Sequence, residues 1–236
     1  MLAWLLSGSA ATAQTIVDQE FLGWTFASNY LDYPGDFMAQ TFTVRNAGQI
    51  VEVGVQVRLT NTSGNVLPPL DDLTVQLLRT DPSGAPNAAE VLATRDFTWQ
   101  EVQSSFDAAE PYLPFDVSAW NVPVSAGEVL AIALSSDQSA YDSAGLPVTG
   151  HHNYYWSTAF NDQFPGGEFW LYSPVLYGPA PWKFEDLSPP PTRDMGYRVL
   201  VSLPEPTGLF LAACAVTSLA VLQRRVVWRR ERWRLV

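Results

Sequence analysis

Between His151 and Trp182 the chain carries ten aromatic side chains, among them Tyr154, Trp156, Trp170, Tyr172 and Trp182. Pro165, Gly166, Gly167, Pro174, Gly178, Pro179 and Pro181 interrupt them, so the segment reads as loop. A flat ring on a rigid support can stack on the apolar C–H face of a sugar, and nearby polar groups can take its hydroxyls. Those five rings are the candidate ligand-binding residues, with Asn153, Asn161, Asp162 and Gln163 as polar neighbours. The same rings would serve equally well to fill a core and plug one end of it.

Other chemistry is thinner. Calcium takes about six to eight oxygen ligands, which acidic loops can supply. Asp71, Asp72, Asp107, Glu110, Asp137, Asp142 and Asp162 lie near turn residues, and Asp194 precedes the last apolar alternation. They would suit a structural calcium ion, but no Asp-x-Asp-x-Asp-Gly spacing singles out a metal set. His151 and His152 are adjacent, so on a strand they point to opposite faces and do not share a metal. Gly-x-Ser-x-Gly, His-Glu-x-x-His and phosphate-cradling glycine loops are all missing. A distant carboxylate pair for glycoside hydrolysis has too many acids to choose from to carry information. The expectation is a protein that is not an enzyme and needs no cofactor, a structural calcium ion aside.

The end of the chain is better specified. Pro204-Glu205-Pro206 is followed by 14 residues without a charge, Leu209 to Leu222, and then by Arg224, Arg225, Arg229 and Arg230. Six of the 13 basic residues lie beyond Gln223. A helix needs about 20 apolar residues to span a bilayer, so Val226 to Trp228 would have to extend the run while the first arginines snorkel. The arginine cluster should stay on the cytoplasmic side and leave the body of the protein outside. Residues 203–236 are therefore read as one sorting segment with a transmembrane helix. An anchor helix that is never cut is the competing reading. At the other end, residues 1–13 read as a signal peptide. Leu2 to Leu6 are apolar, and Ala11-Thr12-Ala13 fits a cleavage site. The basic stretch that normally opens such a peptide is missing, as a later-than-true start would explain.

Residues 14–202 then form one domain. With Glu205, Glu231 and the six tail arginines set aside, it holds 22 acids and seven bases, a net charge of −15. That argues against nucleic acid and against anionic lipid as partners. The single cysteine, Cys214, lies in the tail, so the body has neither a disulfide nor a thiolate site. Period-two alternation dominates, and helical periodicity is hard to find. Val51, Val53, Val55, Val57 and Leu59 alternate with Glu52, Gly54, Gln56 and Arg58. Leu73-Val75-Leu77, Phe42-Val44, Leu130-Ile132-Leu134 and Tyr197-Val199-Val201 repeat the pattern between Gly, Pro and Asn turns. The expected fold is all-β, an antiparallel jelly-roll β-sandwich.

Two resemblances follow from these residues. Residues 203 to 230 resemble the PEP-CTERM sorting signal of Gram-negative envelope proteins. That implies export across the inner membrane, transient anchoring there, cleavage by an exosortase and an association with extracellular polysaccharide at the cell surface or in the matrix. The order Ala39–Val44, Val53–Val57, Leu73–Leu77, Ser125–Glu128, Leu130–Leu134 and Asp194–Arg198 resembles jelly-roll domains of such surface-anchored proteins. It is also similar in layout to carbohydrate-binding β-sandwiches. Together they imply a non-catalytic protein that binds or structures extracellular polysaccharide. A purely structural or adhesive surface protein and a secreted glycan-active enzyme are the alternatives.

Overall fold

The computed structural model describes residues 13–23, 35–60, 67–107, 111–136, 153–160, 167–172, 182–183 and 193–204. Thr15–Leu203 form one compact unit. In chain order its elements begin with β1 (Thr15–Phe21), β2 (Phe37–Thr43), β3 (Gly48–Val55), β4 (Val57–Thr60), β5 (Leu73–Thr80) and β6 (Pro86–Phe97). Helix α1 (Trp99–Asp107), β7 (Leu113–Asp116), a 3-10 turn (Ser118–Trp120), β8 (Val122–Val124) and β9 (Val129–Ser135) follow. The rest are β10 (Asn153–Trp156), β11 (Thr158–Phe160), β12 (Phe169–Tyr172), β13 (Trp182–Lys183), β14 (Arg193–Met195) and β15 (Tyr197–Ser202).

The chain is mostly β, and its described strand pairs are antiparallel. Of the two larger sheets, one runs β1-β15-β3-β7, with β8 also on β3, and the other runs β13-β12-β2-β9-β5-β6; β10-β4 and β11-β14 are two-stranded. Alternation explains the layering. Tyr197, Val199 and Val201 of β15 are fully buried, as are Phe42, Leu73, Val75, Leu77, Leu130 and Ile132 from the other sheet. They belong to one hydrophobic cluster that both sheets supply. Each fully buried apolar side chain of this size stabilises by about 1.5–3 kcal/mol.

Two details depart from the pattern read along the chain. The regular alternation from Val51 breaks: Ile50 is fully buried, whereas Val51 is only half-buried. The cause is a bulge, where Leu200 faces Glu52 but the next residue, Val201, faces Ile50. Val51 is the extra residue, and the faces exchange there. The strand itself is interrupted at Gln56, where β3 ends and β4 begins, although Val55 and Val57 stay buried on either side. Helix α1 is the other departure. Thr98 caps it: Glu101 accepts from Thr98 N–H and Oγ1 at 2.9 Å each, and its own N–H points back to Thr98 Oγ1 at 3.4 Å. This Thr-x-x-Glu capping box starts a short helix that local periodicity is too brief to announce.

The chain enters and leaves the domain side by side. Thr15 pairs with Ser202 and Phe21 with Tyr197. The β2–β3 turn lies at that same end, held by Asp18. Its carboxylate accepts from Arg45 N–H at 3.0 Å, Asn46 N–H at 2.8 Å and the Asn46 amide at 2.9 Å. No described helix is long and apolar enough to cross a membrane. The expected transmembrane helix and its arginines, Arg224, Arg225, Arg229 and Arg230, lie outside the described residues, as do residues 1–12.

Candidate functional site

The described residues of the aromatic segment are mainly strand rather than loop, and its prolines lie outside the described residues. Four short strands, β10 to β13, run through it. β10 pairs with β4, β11 with β14, and β12 adds to β2 and carries β13 outside it. Strand alternation then decides where each ring goes.

Tyr154 and Trp156 point inward. Tyr154 is 2% exposed, and its hydroxyl donates to the Asp71 carbonyl at 2.9 Å. Burial raises its phenol pKa above the ordinary value, and the Asp72 and Asp71 carboxylates add to the rise. Trp156 is fully buried and donates Nε1–H to the Gly196 carbonyl at 2.8 Å. The same carbonyl accepts Gln56 N–H at 2.9 Å. Neither ring presents a face to solvent, so both act as core. Gly196 is required here, since a Cβ would run into the Gln56 side chain.

Trp170 lies on the opposite face of the six-stranded sheet. It is 7% exposed and packs with Ala39, Leu78, Ala85, Ala131 and Ala133, with Phe37 alongside. Among the described residues its Nε1–H has no hydrogen-bond partner. Tyr172 is half-buried and stacks on Phe37, with centroids 4.9 Å apart and planes 18° from parallel. Phe37 and Tyr172 are also cross-strand partners in register, which brings their rings together. Trp182 sits on β13 opposite Leu171. Tyr154, Trp156, Trp170 and Tyr172 therefore do not form one surface, and the Trp182 side chain lies outside the described residues. Tyr172, with Phe37, is the described pair with a face still partly open. Phe37 was not among the sequence candidates; the alternation Phe37-Ala39-Thr41 against Met38-Gln40-Phe42 is the signal that could have found it.

Buried polar side chains stitch the site to the scaffold. Gln40 is fully buried in β2 and accepts Met195 N–H at 3.0 Å, joining β2 to β14. Gln19 donates to the Thr43 carbonyl and accepts from Tyr197 Oη at 2.8 Å, tying the two sheets together. Burial raises the Tyr197 pKa, and Asp194, itself 2% exposed, adds its charge. Gln56 accepts Gly23 N–H at 2.9 Å. No group of three or more His, Cys, Asp or Glu side chains able to hold a metal ion occurs among the described residues. Of the acids considered for calcium, Asp71 and Asp72 are exposed; Glu110, Asp137, Asp142 and Asp162 lie outside the described residues, as do His151 and His152.

Of the expected sorting motif, Pro204 is described and exposed, two residues after β15 ends. Leu203 before it packs against the core. Glu205 and Pro206 lie outside the described residues. No protein-family model and no curated protein matches the chain.

Proposed function

We propose that this chain is an exported, exosortase-processed surface or extracellular-matrix protein, anchored for a time in the inner membrane by its C-terminal tail. Its body is a non-catalytic jelly-roll domain with a structural or adhesive role. One observation carries the reading. The last strand ends at Ser202, and the exposed Pro204 begins the Pro-Glu-Pro, apolar and arginine series directly, with no spacer domain. The strand order supports the jelly roll. Without the β10–β14 insertion the two sheets read β1-β15-β3-β7 and β2-β9-β5-β6, the order that two interleaved Greek keys give.

Burial of Tyr154, Trp156 and Trp170 favours the structural role over sugar stacking. The half-open Phe37–Tyr172 stack supports a second reading, weak binding of extracellular polysaccharide at that sheet end. The test is expression of the full chain in a host with and without an exosortase. The reading expects a membrane-bound precursor without the enzyme, a shortened surface or matrix form with it, and precursor alone for Glu205→Ala. A product that stays soluble in the cytoplasm would sink it. Binding of the shortened form to the host's polysaccharide, lost in Tyr172→Ala, would select the second reading.

A further inference from the structure

We propose that β15 is a load-bearing strand, placed so that tension on the C-terminal tail is taken by two hydrogen-bonded ladders in shear. The inference rests on the tail tether proposed above. The tail joins β15 directly at Leu203 and Pro204. In this sheet β15 is not an edge; it lies between β1 and β3. It pairs with β1 from Tyr197 to Ser202 and with β3 over the same residues. A pull on Ser202 along the strand must slide it past both neighbours, so the ladder bonds are strained together rather than in turn. Side chains on both faces oppose the slide. Tyr197, Val199 and Val201 are fully buried on one face. On the other, Arg198 bonds Glu52 of β3 at 2.8 Å and lies over the Tyr112 ring, 5.1 Å from its centroid. Tyr112 packs on Gly54 of β3, where a Cβ would come within 3.0 Å of it.

The N-terminal strand has the opposite geometry. Among the described residues β1 is an edge strand and pairs with β15 alone. Thr15 faces Ser202, so pulling the two chain ends apart opens this ladder one pair at a time, like a zipper. An anchor at the C-terminus alone avoids that weak mode. Load applied from the far end of the domain, where Asp71 precedes β5, reaches β15 in shear.

The test is single-molecule pulling on the full-length chain in detergent micelles, carrying Cys214→Ser to remove its only cysteine. One thiol handle goes at the exposed Pro204→Cys. The other goes at the exposed Asp71→Cys, or at the exposed Gln14→Cys beside β1. The Pro204–Asp71 pair should rupture at a force several times that of the Pro204–Gln14 pair. Asp72→Cys repeats the first geometry if Asp71→Cys fails to fold. Equal forces, or a weaker Pro204–Asp71 pair, would overturn the proposal. Fractionation of the precursor tests the anchor separately, so the two readings fail independently.

Discussion

Replacing Trp156 and Trp170 by Phe, one at a time, separates the roles of two rings that look alike in the sequence. Both are buried, and both exchanges shrink a ring by a similar volume, so the transfer and cavity terms nearly cancel in the comparison. The indole N–H does not cancel. At Trp156 it makes a buried hydrogen bond to Gly196, and its loss costs about 1 kcal/mol. The carbonyl left behind keeps its Gln56 N–H, so no group is orphaned. At Trp170 the buried N–H has no partner among the described residues, and an unmade bond of this kind costs about 1–3 kcal/mol in the parent. Phe removes that donor and recovers about 1 kcal/mol or more. Trp156→Phe should therefore be less stable than Trp170→Phe by about 2 kcal/mol. For a domain of this length the difference is about 4–8 °C in melting midpoint. Circular-dichroism melts of the two variants measure it. An equal or lower midpoint for Trp170→Phe would refute the reasoning, because the hydrogen-bond difference would then count for nothing.

Other outcomes follow from the same geometry. Asp18→Ala strips three acceptor contacts from the Arg45–Asn46 turn and should cost at least about 2 kcal/mol, read from a urea midpoint. Thr98→Ala removes the cap of α1 and should cost about 1 kcal/mol, with β-sheet circular dichroism unchanged. Tyr112, Tyr154 and Tyr197 all have raised pKa values, chiefly through burial. The folded state thus prefers the neutral phenol. Their contribution is complete below the unfolded tyrosine pKa of about 10 and is lost as pH rises beyond it. Phenolate absorbance should show these three ionising only with unfolding; smooth ionisation in the intact fold would contradict the burial.

Much of the scaffold was legible because burial on one face imposes period two. Leu73-Val75-Leu77, Leu130-Ile132-Leu134 and Tyr197-Val199-Val201 are all buried. What the pattern could not carry was any irregularity set by a partner strand. The exchange of Ile50 for Val51 arises from the pairing with Leu200 and Val201, some 150 residues away in the chain. The break at Gln56 likewise depends on Gly196 and Trp156. α1 was written locally, in Thr98 and Glu101, but one capping box in a β-rich chain is easily passed over.

The aromatic segment misleads for a physical reason. A strand of four residues sends about two side chains to each face. It cannot gather much buried area unless those side chains are large, and Trp and Tyr are the largest available. The strands β10, β11 and β12 are of this kind, with four, three and four residues. Their backbones also need fixed partners, and Tyr154 and Trp156 supply bonds to the Asp71 and Gly196 carbonyls. Dense rings are therefore what such short strands need to bury enough area against their neighbours. The same composition would arise if the rings served a sugar. The discriminating quantity is which face each ring takes, and strand register fixes that. By this criterion Phe37 and Tyr172, cross-strand partners at a sheet end, are where an exposed ligand would be sought, and Trp156 is where the fold would be lost.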